Sequence, residues 1–204
     1  MIDATLITFQ VRIPIVPVLF SQGVNEWQSL ANLVGNNRLQ HTLNKRALRA
    51  LQGYASLYNT YTEGSASKAV LRVRRRTKTL LSELDATIGK QQQGKKEFGI
   101  LAAAADCCRL LGGGRVIMCK SGKDRTACAV TLEAARLLGM GGLKREAQLM
   151  TANLMREHGV RRSNVFKNTG NLQYAFNALQ AQALPLPFRP PPSTLAGLTK
   201  AAPT

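Results

Sequence analysis

The chain has 204 residues, and 45% hydrophobic content is enough for one domain with a sizeable core, built mainly from Leu, Val, Ile and Ala because aromatics contribute only 5%. No apolar stretch approaches the ~18–20 residues of a membrane span, and no charged N-terminal region precedes a hydrophobic run as in a secretory leader. With 28 basic and 11 acidic residues the net charge is +17, which calls for a polyanionic partner.

In chain order, residues 4–20 are rich in β-branched and apolar side chains and read as a strand, broken by Pro14 and Pro17. Asn25 is placed to cap a helix running toward Val34, with Trp27 and Leu30 on one face. A helical pattern covers residues 39–58, and residues 62–67 form a loop. Next, Val70, Val73, Thr77, Leu80, Leu81, Leu84 and Ile88 keep a helical spacing, while Arg72, Arg74, Arg75, Arg76 and Lys78 make a basic solvated face. Such a face gains ~1 kcal/mol per basic residue near an anionic leaflet. Gln91-Gln92-Gln93-Gly94 breaks that helix, and an Ala-rich helix over 97–111 stops at Gly112-Gly113-Gly114. A strand-like run, Arg115-Val116-Ile117-Met118, then enters a loop, and a helix over 125–138 leaves it. Helices over 143–158 and 171–184 follow, with a glycine-rich break at 139–142, and from Pro185 the Pro-rich chain reads as an irregular tail. The expected architecture is an α/β domain over 1–184, a small sheet with many helices and a strand–loop–helix site, with a tail over 185–204.

The loop, Cys119-Lys120-Ser121-Gly122-Lys123-Asp124-Arg125-Thr126, sets a cysteine ahead of an arginine with glycine between and a hydroxyl after. A loop at a helix N-terminus wraps amides around an anion and points the macrodipole at it. The same potential favours ionisation of Cys119 into a nucleophilic thiolate, and Arg125 offers a planar fork to two phosphate oxygens. That equipment suits attack on a phosphate monoester. Lys120 and Lys123 add cations that a lone phosphate does not need, and so favour a substrate with several phosphates, such as an inositol ring. The plain alternatives are a small buried cysteine and a solvated basic loop.

The loop resembles the phosphate loop of the inositol polyphosphate 4-phosphatases, and is also similar to that of bacterial inositol-phosphate phosphatase effectors. Phe20-Ser21-Gln22-Gly23-Val24-Asn25-Glu26 resembles an F-x-x-G-[IV]-N-E segment of both families. Val130-Thr131-Leu132-Glu133, Arg161-Arg162-Ser163-Asn164, Lys167-Asn168-Thr169-Gly170, the run from Tyr174 to Gln180 and Phe188-Arg189-Pro190-Pro191 continue the 4-phosphatase pattern. Gly122 departs from it, standing where animal members tend to have alanine. The resemblance implies a cysteine-dependent phosphatase acting on the 4-phosphate of phosphatidylinositol 3,4-bisphosphate. It also implies that this chain is a C-terminal catalytic portion, since family members carry an N-terminal C2 domain.

The mechanism expected is a two-step displacement in which Cys119 takes the phosphoryl group and Arg125 with the amides of Ser121, Gly122 and Lys123 stabilises it. Thr126 either assists departure of the thiolate or is a plain first-turn hydroxyl. Of the four aspartates, Asp3 is terminal and Asp85 and Asp106 lie within helices, which leaves Asp124 as general acid; Glu26 or water is the alternative. No cofactor or metal is expected: there are only two histidines, His41 and His158, and no paired Cys-x-x-Cys spacing. Cys107 or Cys108 is a candidate for a protective disulfide with Cys119, the duller reading being buried helix cysteines. The expected partners are a phosphoinositide or inositol polyphosphate substrate and a peripheral anionic membrane surface, in the cytoplasm. Nucleic acid is disfavoured, since no aromatic residues interleave the basic runs. Rival classes are a dual-specificity protein phosphatase and an inactive phosphoinositide-binding fragment.

Overall fold

The computed structural model describes residues 15–24, 38–91, 97–119 and 122–196. Residues 4–14 of the expected first strand, the helix expected from Asn25 to Val34, Glu26, Lys120 and Ser121 lie outside the described residues. Seven helices are described: α1 (Arg38–Tyr61), α2 (Lys68–Gln91), α3 (Gly99–Leu110), α4 (Asp124–Met140), α5 (Arg145–His158), α6 (Val160–Thr169) and α7 (Ala178–Gln182). Two 3-10 turns, Leu186–Phe188 and Pro192–Thr194, follow.

Their packing makes two cores that share a wall. Leu48, Leu51 and Ala55 of α1 sit at helical spacing against Leu80, Leu84 and Ile88 of α2, and Ile100, Ala104 and Cys107 of α3 close this first core. Ala127 and Cys128 of α4, Val165 of α6 and Tyr174, Phe176, Leu184, Phe188 and Leu195 from the C-terminal segment form the second. Helix α3 faces both, because Phe98 and Leu101 on its other side pack against the second core.

The expected α/β architecture is corrected. No strand or sheet occurs among the described residues; the only bridge among them is an isolated parallel one between Tyr174 and Leu195. The physical reasons differ by segment. Residues 15–20 hold Pro17, which has no N–H to give a ladder. Just beyond them Asn44 does the work of a neighbouring strand: its Oδ1 accepts from Ser21 N at 2.7 Å and its Nδ2 donates to Ser21 O at 2.9 Å. Residues 113–119 run without helix as the β-branched pattern requires, yet no second strand among the described residues pairs with them. Glu133 and Asp106 fix this stretch instead. Glu133 pairs with Arg109, with Arg115 at 2.9 Å and with Arg136 at 3.2 Å, while Asp106 holds Arg136 at 2.6 Å.

Two further differences lie downstream. The helix expected over 171–184 shrinks to α7, because Tyr174 N donates to Thr194 O at 2.8 Å and Ala196 N to Phe176 O at 3.0 Å, which holds residues 174–176 out of the helix. Asn177 and Gln180 then form a reciprocal capping box that starts α7. Helix α6 was not expected. Gly159 separates it from α5 in a close approach where a Cβ would stand 2.4 Å from Met155 O. Residues 185–196, read as an irregular tail, pack: Phe188, Thr194 and Leu195 are buried.

Arg156 holds that segment in place. Its side chain is fully buried, and it pairs with no carboxylate among the described residues. Each of its five N–H groups has an acceptor. Nε donates to Thr131 Oγ1 at 2.9 Å, and one terminal nitrogen donates to Asn153 Oδ1 at 2.9 Å and Arg189 O at 2.8 Å. The other donates to Cys128 O at 2.9 Å and Pro187 O at 2.6 Å. Tyr174 Oη returns a bond to Arg156 O at 3.1 Å. Burial lowers the affinity of Arg156 for its proton, so the charge is tolerated only while these acceptors stay in place. Arg156→Lys, with three donors, leaves at least two buried acceptors unmet and is expected to cost about 3 kcal/mol, or ~6–12 °C in Tm. Arg136→Lys, in the half-exposed ion-pair network, should cost under about 1 kcal/mol. Thermal melts of both variants check the contrast; equal melting points would show that Arg156 is not the clamp.

Candidate active site

Helix α4 begins at Asp124, so Arg125 and Thr126 occupy its first turn, where backbone N–H groups have no helical acceptor. Lys123 stands at the N-cap with φ −103° and ψ −100°, and its carbonyl receives the N–H of Ala127 at 2.8 Å. Gly122 adopts φ +66°, the left-handed region that glycine enters without strain, and its N–H donates to Cys119 O at 3.1 Å. That bond closes the turn, so Gly122 N–H is committed within the loop. Cys119 and Arg125 are half-buried at the two ends of the turn.

Asp124 is held from outside the loop. Burial raises its carboxyl above the ordinary 3.8, against the opposing effects of a hydrogen bond from Ala175 N–H and the charges of Lys123 and Arg125. Cys128, one turn further along α4, is within electrostatic reach of both Cys119 and Asp124. Burial pushes the Cys128 thiol up to about 12 and the Cys107 thiol to about 11, which makes both poor nucleophiles. Cys108 is raised by burial as well, and none of the four cysteines is in a disulfide.

Thr126 is buried, and its Oγ1 has no hydrogen-bond partner among the described residues. A hydroxyl capping the helix would have one, so Thr126 is not acting as a cap here. Asp106 is committed to Arg109 and Arg136. No cluster of metal-ligating side chains occurs among the described residues. Of the predicted site residues, Cys119, Gly122, Lys123, Asp124, Arg125 and Thr126 come together at the start of α4; Lys120 and Ser121 lie outside the described residues.

Sequence reasoning missed the supports of this site. Ala175, Tyr174 and Arg156 set the environment of Asp124 and of the first turns of α4 from the far end of the chain. One signal was available: Leu149, Ala152 and Arg156 share a face of α5 by spacing, and a lone arginine on an inward face needs many acceptors.

Comparison with known proteins identifies the family of this chain. The family model described as INPP4A C-terminal domain matches residues 7–188, and the chain belongs to that family. It is 37% identical over 181 residues to human inositol polyphosphate 4-phosphatase type II, which covers 87% of this chain and 19% of that protein. Type II inositol 3,4-bisphosphate 4-phosphatase of Rattus norvegicus is 36% identical over 181 residues, with the same coverage. A 73-residue stretch is 37% identical to the human phosphatidylinositol 3,4,5-trisphosphate-dependent Rac exchanger 2 protein, 35% of this chain and 4% of that one. The chain thus spans about a fifth of the first two relatives, 19% of each. No solved structure matches.

Because the folded-state affinity of Asp124 for its proton is raised, its carboxylate destabilises the native state at neutral pH, and this cost disappears as the pH falls through the folded value. Asp124→Asn removes the charge and keeps an oxygen for Ala175 N–H. It should raise Tm at pH 7 by no more than about 2–4 °C, after allowing for solvent screening. The gain should vanish below pH 3.8. Calorimetry at both ends of that range decides it; a gain independent of pH would mean the carboxyl is not perturbed by burial.

Proposed function

We propose that this chain hydrolyses the 4-phosphate of phosphatidylinositol 3,4-bisphosphate, or of a soluble inositol polyphosphate, through a phosphocysteine intermediate. The observation that carries the proposal is the turn closed by Gly122 N–H on Cys119 O, which delivers the chain from Cys119 directly to Asp124, Arg125 and Thr126 in the first turn of α4, in a chain of the INPP4A C-terminal domain family. The names of the human and rat relatives supply the substrate class.

In the first step the Cys119 thiolate forms an S–P bond as the bond between phosphorus and the inositol oxygen breaks. Arg125 and the first-turn amides take up charge on the equatorial oxygens, and the Asp124 carboxyl gives its proton to the leaving oxygen. Burial, by raising that carboxyl, suits it to the donor's role. In the second step a water oxygen attacks phosphorus, its proton returns to Asp124, and the S–P bond breaks to regenerate the thiolate. The Thr126 hydroxyl stabilises the departing sulfur. Lys120 and Lys123 meet the phosphate that does not react. The basic face of α2, where Arg72 and Arg76 are exposed, draws the protein to an anionic membrane surface.

Phosphate release measured across phosphoinositides and soluble inositol phosphates tests this directly. Cys119→Ser should reduce release to background while substrate still binds, and turnover should survive EDTA. Lys123→Met should lower turnover of phosphatidylinositol 3,4-bisphosphate roughly ten- to a hundredfold, the value of one or two charged hydrogen bonds, with little effect on an aryl phosphate. Equal losses on both substrates would return the reading to a dual-specificity phosphatase. Binding without any release from wild type would make the chain a phosphoinositide-binding module.

A further inference from the structure

An open concavity of mixed polar and apolar lining lies between α1 and α2 and shares no residue with the loop or with α4. Its volume is about 560 Å³, within the ~300–1,000 Å³ typical of small-ligand sites. One wall is basic: Arg74, Arg75 and Lys78 of α2 line it, and none of them is ion-paired among the described residues. The facing wall, on α1, presents Gln52, Ser56 and Asn59, which by their spacing lie along one side of the helix. Thr77 lines the same space, is buried, and has a hydroxyl with no partner among the described residues. Ala55 and Leu81 add a small apolar surface, and Asp85 adds one carboxylate.

We propose that this cavity binds a polyol carrying two or more phosphates, at a site separate from the catalytic loop. Three cations against one carboxylate select a multiply charged anion, and the two arginines can each grip a phosphate with a planar fork. The amides and hydroxyls of α1 suit ring hydroxyls, which both donate and accept, and Asp85 accepts from another. A nucleotide fits poorly, since no aromatic side chain lines the cavity to stack a base. The shared chemistry is that of a phosphorylated inositol, whether free or as a lipid head group. Turnover at the loop is not required for this binding.

Titration calorimetry of the full chain carrying Cys119→Ser, with inositol 1,3,4-trisphosphate as the probe, counts binding events without turnover. Arg74→Gln/Lys78→Gln should remove one event or weaken it at least about tenfold. Arg72→Gln/Arg76→Gln, an equal charge loss on the same helix outside the cavity, should leave trisphosphate binding within about twofold, although its vesicle binding falls with the loss of membrane attraction. Co-sedimentation with phosphatidylcholine vesicles containing phosphatidylinositol 3,4-bisphosphate forms the second arm. Response of the cavity pair in both arms identifies a lipid head group, and response to the trisphosphate alone identifies the free polyol. Equal losses of trisphosphate binding in the two pairs would reduce the effect to general positive charge, and no loss in either would remove the site; both outcomes overturn the proposal. Release from an aryl phosphate by the otherwise wild-type chain should be unchanged by Arg74→Gln/Lys78→Gln. If that chain releases no phosphate while the cavity still binds, the phosphatase proposal fails and this one stands.

Discussion

A charge that cannot be shed sits at the centre of the C-terminal half. Arg156 is buried with all five donors engaged, and its acceptors come from three places: its own helix α5, the first turns of α4, and the backbone of residues 187–189. A guanidinium in that position is costly unless every one of those acceptors arrives together. It therefore couples elements whose apolar contacts alone are modest. Phe188 and Leu195 have somewhere to pack because Arg156 brings their segment against α4 and α5. Tyr174 is then caught between Arg156 O and Thr194 O, which leaves Ala175 N–H aimed at Asp124. The polarity of the site begins, in this sense, with an arginine that does not face it.

The other half of the fold does a different job. Helices α1 and α2 build a core of leucine and isoleucine, and α3 transmits it to the second core through Phe98 and Leu101. Asp106 and Glu133, with Arg109, Arg115 and Arg136, lock α3 to α4 on either side of the stretch that leads to Cys119. Individually such half-exposed pairs contribute little. As a network they tie Arg115 and the stretch that leads to Cys119 to α3 and α4, without support from a sheet among the described residues.

Long periodic segments were legible in the sequence. The spacing of Leu80, Leu84 and Ile88 defines α2, the stop at residues 112–114 ends α3, and the loop motif marks the start of α4. What failed was everything decided by distant partners. Residues 15–20 and 115–118 have strand-like composition, but composition does not say whether a second strand exists to pair with; here Asn44 binds Ser21 just after the first segment, and Glu133 holds Arg115 of the second. Helix α6 has a single buried apolar side chain, Val165, so its periodicity is almost invisible. Prolines 185, 187, 190, 191 and 192 suggested an irregular tail; the same prolines set the turns that carry Phe188 and Thr194 inward. In the candidate site the reactive residues were readable because they are contiguous. Their supports were not, because Asp124 and Ala175 are far apart in sequence and only the fold joins them.

The route by which Asp124 is positioned also bears on how the chain becomes competent during its synthesis. Cys119, Arg125 and the helix that presents them leave the ribosome early in the C-terminal half, and α4 can form from local contacts as it emerges. Ala175 N–H and the carbonyls of Pro187 and Arg189 come later. Until they are made, Arg156 has no interior to be buried in and Asp124 no partner from the end of the chain. A nascent polypeptide thus carries the loop and the start of α4 before Ala175, Pro187 and Arg189 exist, and the surroundings of Asp124 and Arg156 are completed only by these later residues.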